Sequence, residues 1–558
     1  MGLRQPSSRL GTPGKGQVQP TSIPASVGGI NALDSLMAMP PQDCIYTYNL
    51  MPVEYGLRLR KGYVEWNIGL DGDVRTMIGY ESNLDTTAND RLFAVTEAGI
   101  YNVTDQNQAL TLVQAFAAAP VGLTEAQGYG VTTEFTTSAD TGNNHYLFYA
   151  DYVAGVWQYT DAGGWTTPTW NFVAAGGGGA APDAPAISDI AFVTVHKQRI
   201  WVIEEDSSDA WYGSVASVAG DFKKFTFGSK MSHGGNLQGI YTWSLDGGDG
   251  LDDYLVAVSH SGDVLVYRGS DPTSDASTGD PWALVGSWFI GETPKSRRLA
   301  ASFGSEMYLL STYGLTNLRD LLEGTAANDN RSSPSAKINR FLRSDMETLK
   351  DKYEWAINVH PGDGFLQIVA PANNGVYRHY NQNVTTKAWG FWADVPIVSA
   401  QTWNGEYYIG STVGITYIYE GNADGVTIAG DTGQPISFSG LTSFQPLGSG
   451  GHGSYKNIGL IRTTGSGAGQ ANIRTRAVYD YDIAAAIPSP SQTQNQEGSD
   501  WDDALWDSGV WSGGTVTGSS IDGSLGIGRA VAVGFTGNSN TRITVIGWDY
   551  MFIEGGLI

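Results

Sequence analysis

Residues able to carry chemistry are few and scattered in this chain. The seven histidines, His145, His196, His233, His260, His360, His379 and His452, stand singly. No two share the spacing of a metal-ligand pair, and no His-Glu-x-x-His segment is present. There is no Gly-x-Ser-x-Gly turn to expose a nucleophilic serine. Gly11-Thr12-Pro13-Gly14-Lys15-Gly16 has the composition of a phosphate loop. Its glycine spacing is wrong, no Ser or Thr follows the lysine, and no strand precedes it. Asp71-Gly72-Asp73 and Asp246-Gly247-Gly248-Asp249-Gly250 gather carboxylates without the order of a calcium loop and read as hairpin turns. The single cysteine, Cys44, has no histidine beside it and sits in a proline-rich stretch, which makes it structural. The sequence therefore predicts no catalytic site, no metal and no cofactor.

The elements that would position any site are strands. The chain has 17 Trp, 28 Tyr and 18 Phe, which favour strands, and 73 Gly, which favour turns and bulges. Short apolar runs recur at Leu92–Val95, Tyr146–Tyr149, Ile200–Ile203, Tyr254–Val258, Met307–Leu310, Phe365–Val369 and Tyr407–Ile409. Their spacing is roughly 54 residues through the first five and less even afterwards. Most are followed by a glycine turn and a second strand, as in Ala98-Gly99-Ile100, Ala154-Gly155-Val156, Ser261-Gly262-Asp263, Tyr313-Gly314-Leu315, Asn374-Gly375-Val376 and Val413-Gly414-Ile415. Glycine there supplies the positive φ that a tight hairpin needs. The third repeat uses Ser207-Ser208-Asp209 instead.

Three or four strands in each repeat of this length are the arithmetic of a propeller blade. Blades are covered on both sides, which explains apolar runs that do not alternate. The expectation is an all-β chain: a six- or seven-bladed β-propeller with an extended N-terminal arm and a C-terminal β domain. The boundaries read as 1–44 for the arm, 45–430 for the propeller and 431–558 for the C-terminal domain. Residues 45–66 are placed to close the last blade. One helix is expected near Ser344–Lys352, with Ser344 as cap and Glu347 three residues on.

Charge narrows the partners. Lys plus Arg is 32 against 56 Asp plus Glu, a formal net charge of −24. Such a surface repels a phosphate backbone. Two readings stay open: the charge keeps an aromatic-rich protein soluble, or it lines a channel past which DNA slides without sticking. No run of 18 apolar residues and no signal peptide are seen, so a soluble protein made in a cytoplasm is expected.

A resemblance adds to this. Gly28-Gly29-Ile30-Asn31, Asp34-Ser35, Met39-Pro40-Pro41, Asn49-Leu50-Met51-Pro52 and Arg60-Lys61-Gly62-Tyr63 resemble the opening of tail nozzle and head-to-tail hub proteins of short-tailed bacteriophages. Asn383-Val384-Thr385-Thr386-Lys387-Ala388-Trp389 is similar to a run these proteins carry before the last blade. The resemblance implies a structural virion protein at the distal end of a phage tail, without catalysis. It implies a hexamer around a DNA exit channel, with genomic DNA passing through the lumen unbound. It also implies contacts with a tail adaptor or tube protein and with a tail fibre or spike, and no membrane anchor. Arg58, Arg60 and Lys61, the densest basic cluster besides Arg297-Arg298, are the expected contact with an acidic neighbour. The alternative is a glycan-binding or glycan-degrading propeller used in host recognition. For that reading, Ser138-Ala139-Asp140-Thr141-Gly142 matches only half of the Ser-x-Asp-x-Gly-x-Thr-Trp turn of sialidases.

Overall fold

The computed structural model describes residues 18–557 apart from 84–86, 138–143, 175–178, 247–250, 275–279, 325–332, 374–375, 468–471 and 488–515. The phosphate-loop-like stretch at Gly11–Gly16, the half-turn at Ser138–Gly142, the Asp246 turn beyond its first residue and the Asn374-Gly375 turn lie outside the described residues.

Seven small sheets follow one another along the chain, and each recurring apolar run is the second strand of one of them. The first sheet holds Thr76–Tyr80, Arg91–Val95, Gly99–Asn102 and Thr111–Ala115, joined antiparallel in that order. The second spans Val131–Thr136 to Gly164–Thr166, the fourth Leu237–Asp246 to Ala283–Phe289, and the sixth Ala356–His360 to Trp389–Trp392. The third adds Trp170–Val173 in parallel beside Gly220–Thr226. The fifth has three strands, Ala300–Phe303, Glu306–Ser311 and Gly314–Asn317. Helices Leu318–Leu322 and Asn339–Leu349 follow it, and their insertion stretches the repeat there.

The two-sided burial inferred from the apolar runs is visible residue by residue. Leu92 and Ala94 pack against the seventh sheet with Trp403 and Tyr408, while Phe93 and Val95 pack against the second with Leu147 and Tyr149. Ile200 and Val202 face the second sheet and Trp201 and Ile203 the fourth. One apolar cluster fills each gap between successive sheets, and the cluster around Trp403, Tyr408, Met77 and Leu92 joins the seventh sheet back to the first. The sheets are thus the blades of a β-propeller.

The turn glycines serve two needs at once. Gly155 (φ 71°) and Gly262 (φ 96°) are left-handed. A Cβ on Gly155 would lie 2.7 Å from Ser188 Cα, and one on Gly262 would lie 2.2 Å from the Gly291 carbonyl oxygen, both on the segment leading into the next sheet. Any side chain there would push neighbouring blades apart.

The chain closes its ring with Tyr63–Ile68, which forms the outermost strand of the seventh sheet beside Ile415–Ile418. Trp66 donates its indole N–H to the Val103 carbonyl at 2.7 Å. The buried Asn67 amide donates to Val103 and Asp105 carbonyls and accepts from Gln108 N–H. Closure therefore ties the seventh sheet to the first through side chains as well as backbone.

The N-terminal residues do not form a separate arm from Val18 onward. Val18–Pro24 pairs antiparallel with Ile543–Leu557, and Asp43–Tyr48 with Gln434–Thr442. Together with Leu50–Val53 and Gly56–Leu59 they belong to a two-sheet β-sandwich whose other strands come from residues 434–557. Its core holds Ile23, Leu50, Leu57, Ile436, Phe438, Val533, Phe535, Trp548 and Phe552. Composition misled here: a segment rich in Pro, Ser and Gln cannot fold alone, yet it can lie along an existing sheet edge. The helix differs in its start as well. It begins at Asn339, so Ser344 is internal and caps nothing.

Two outcomes test ring closure. Deleting residues 1–68 should abolish the cooperative urea transition, and a truncated chain that still unfolds in one sharp step would contradict it. Trp66→Ala should lower the unfolding free energy by about 2–3 kcal/mol, read from the shift of the same transition.

Candidate functional site

The basic cluster singled out in the sequence sits where the polypeptide crosses from sandwich to ring. Arg60 is enclosed there, with no exposed side-chain surface. Its terminal nitrogens donate to both carboxylate oxygens of Asp424 at 2.7 Å, and its Nε donates to Asn49 Oδ1 at 3.0 Å. Further donation goes to the carbonyls of Lys61 and Ala393. Planar guanidinium and carboxylate match in this two-pronged geometry, which lysine could not reproduce. Lys61 pairs with Asp363 at 3.1 Å and lies over the Tyr419 ring. Arg58, on the strand paired with Val545 and Thr544, has no ion pair among the described residues. The structure thus commits Arg60 to the inside of the fold and leaves only Arg58 and part of Lys61 toward solvent. Gly62 completes the crossing, because a Cβ there would sit 1.9 Å from the Ala423 carbonyl oxygen.

The other segments behind the family resemblance do similar work. Asn31 Nδ2 donates to Asp34 and to the buried Asp43, and Lys337 Nζ donates to Asp43 and to the Gly28 carbonyl. Gly29 approaches Trp389 so closely that a Cβ would meet its backbone at 2.5 Å. Asn383 Oδ1 accepts from the backbone of Thr385 and Thr386, which turns the chain into Trp389. Cys44 lies in the same packing, and burial pushes its thiol far up, so it stays protonated and inert.

Beside this crossing lies a groove of about 520 Å³. Its floor is the outward face of a sandwich sheet, and its wall is the corner after Trp392. Register sets Tyr48 opposite Ser439, Ser439 opposite Thr536, and Ser437 opposite Asn538. Ala393 and Asp394 form the wall, and Asn49 joins the two by donating to the Ser437 carbonyl and accepting from Ala393 N–H. Asn49 (φ 62°) and Asp394 (φ 59°) are both left-handed, a backbone state that Asn and Asp tolerate best.

Two arginines from separate sheets meet across the ring. Arg298, on the segment entering the fifth sheet, reaches the first sheet and donates to the Arg75 carbonyl at 3.0 Å. Arg75 donates to the carbonyls of Thr124 and Gln127. Both guanidinium groups lie over the Tyr129 ring, at 5.4 and 5.3 Å. Burial lowers the pKa of Arg298, and burial beside Glu354 raises the Tyr377 hydroxyl to about 12. A polar cavity of about 370 Å³ lies among Gly79, Thr132, Glu134 and Gln401. Adjacent Arg297-Arg298 was the only hint of this arginine contact in the sequence; Arg75 and Tyr129 carry no local signal.

No group of three or more metal-type side chains occurs among the described residues. His379 and His196 are buried, and burial lowers each to about 4. His379 bonds the Ile397 carbonyl at 2.9 Å.

Asp424→Ala should cost about 3 kcal/mol in urea unfolding, because Arg60 is left buried and unpaired. The double variant Arg60→Met/Asp424→Leu should recover a large part of it. The His379 contribution is fully present above pH 6.5, since the unfolded state then binds no extra proton. It is lost as the pH falls from there toward about 4, where the unfolded chain takes up protons that the folded one refuses. Within that window wild type should lose about 1.4 kcal/mol per pH unit more than His379→Gln, measured as the difference between their unfolding free energies.

No family model and no curated protein matches the chain. Among solved structures it is similar to the computationally designed Ika8 protein, with 7% identity over 64% of this chain and 99% of that one, at a TM-score of 0.33. It is also similar to a lectin from Burkholderia pseudomallei, with 10% identity over 64% and 95% at a TM-score of 0.33. An exo-β-1,3-galactanase from Phanerochaete chrysosporium shows 8% identity over 75% and 100%, at a TM-score of 0.21.

Proposed function

We propose that this chain is a structural virion protein, a tail nozzle or hub subunit that assembles with copies of itself around a DNA exit channel. The observation that carries this reading is the outward face of the six-stranded sandwich sheet. Register sets Val18 beside Ile553, Pro20 beside Met551 and Met551 beside Leu460. Val18 is 59% exposed, Ile521 62%, Met551 50%, Leu460 42% and Ile553 40%. The charges next to them, Arg462 and Asp549, cancel in a pair of 2.6 Å. An apolar face of this kind is unusual on a monomer. On a chain of net charge −24 it is also a place where like-charged copies meet without repulsion.

Two further features support the same reading. Arg298 bridges from the entry of the fifth sheet to that of the first, so in this proposal DNA passes beside the rings, through the lumen of the assembly. The segments that carry the resemblance to nozzle proteins staple ring and sandwich together. A tail adaptor or tube protein and a fibre or spike are the proposed neighbours, catalysis is not part of the role, and the site of action is the phage tail.

Mass photometry should find a closed oligomer for the wild type and monomer for Leu460→Glu/Met551→Glu at an unchanged melting temperature. Mass spectrometry of purified particles should find the chain. A wild type that stays monomeric at all concentrations and is missing from particles would sink the proposal.

A further inference from the structure

We infer that the groove between sandwich and ring is a binding site for a neutral saccharide. Three properties point to that chemistry. The first is an aromatic platform: Tyr48 rests on Phe391 with ring centroids 5.4 Å apart and keeps 37% of its surface open. A ring held in place from below and open above is suited to the C–H face of a pyranose.

The second is a mixed set of polar groups at fixed positions. Ser437 and Ser439 present hydroxyls that both donate and accept, on a strand whose alternate residues are locked in the sandwich core. Asn538 Oδ1 is buried in the groove lining without a hydrogen-bond partner, and the Asp394 carboxylate is exposed with none among the described residues. A buried acceptor left unmet is destabilising, and a ligand hydroxyl offsets that penalty. The ligand must therefore bring several donors, as a polyol does.

The third is charge. Asp394 is the one ionisable carboxylate or base among the groove residues. Phosphate, sulfate and sialic acid are thereby disfavoured, and a neutral sugar whose hydroxyl pair can donate to the carboxylate is favoured. The volume of about 520 Å³ lies within the range of small-ligand sites and admits a short oligosaccharide. This inference does not depend on self-assembly, since the groove lies on the other sheet of the sandwich from the apolar face.

The test is an array of immobilised neutral and sialylated oligosaccharides, probed with the full-length protein and followed by calorimetric titration of the best structure. Wild type should retain at least one neutral glycan and prefer it to its sialylated form. Tyr48→Ala and Asp394→Asn should each weaken it about tenfold or more. Ser437→Trp, which fills the groove from an exposed position, should abolish binding while leaving the melting temperature unchanged, so that loss through misfolding is separated from loss of the site. No glycan retained at millimolar protein, preference for sialylated glycans, or equal binding by wild type and Ser437→Trp would each overturn the inference.

Discussion

Everything in this fold hangs on one strand pairing, that of Tyr63–Ile68 with Ile415–Ile418. A ring of sheets is stable only if its last gap is filled as well as the others, because every sheet relies on a neighbour to cover each of its faces. The seventh sheet receives its outer strand from the start of the chain, more than 340 residues away in sequence: Thr416 lies opposite Asn67. The loop entropy of joining such distant segments is regained only when the whole ring is in place. Ring formation is for this reason expected to be a single cooperative event.

The same stretch of chain explains how ring and sandwich become one object. Residues 43–59 complete the sandwich, residues 60–62 cross the gap, and residues 63–68 complete the ring. The crossing is short and encloses Arg60, so this cation must be met inside the protein, and Asp424 does this with two hydrogen bonds. The groove and its left-handed corner residues exist because the crossing brings Asn49 against Ala393. The groove is thus a consequence of the joint.

The charge balance takes on a sharper sense in three dimensions. Net charge says that the protein repels polyanions and other copies of itself. It cannot say that Arg462 and Asp549 cancel on one sheet face surrounded by exposed apolar side chains, nor that two arginines from separate sheets meet over one tyrosine. Both arrangements depend on sheet register and on which blades face each other across the ring.

What the sequence determined by itself was the repeat. The runs at Leu92, Tyr146, Ile200, Tyr254, Met307, Phe365 and Tyr407 mark the second strand of each sheet, because a strand buried on both faces must be apolar throughout. The turn glycines at 99, 155, 262, 314 and 414 were equally legible, since all take positive φ. Only the tertiary structure decided where Val18–Pro24 and Asp43–Tyr48 belong. Val18–Pro24 is an edge strand, which needs backbone partners more than apolar side chains of its own, and Asp43–Tyr48 lies beside Gln434–Thr442; both sets of partners come from the far end of the chain. The role of Arg60 followed the same rule. Its sequence neighbours Arg58 and Lys61 suggested a basic patch for an acidic neighbour, while its partner within the fold, Asp424, stands 364 residues away. Side-chain chemistry can be read along a chain, but burial and pairing are properties of the fold, set by contacts that sequence distance hides.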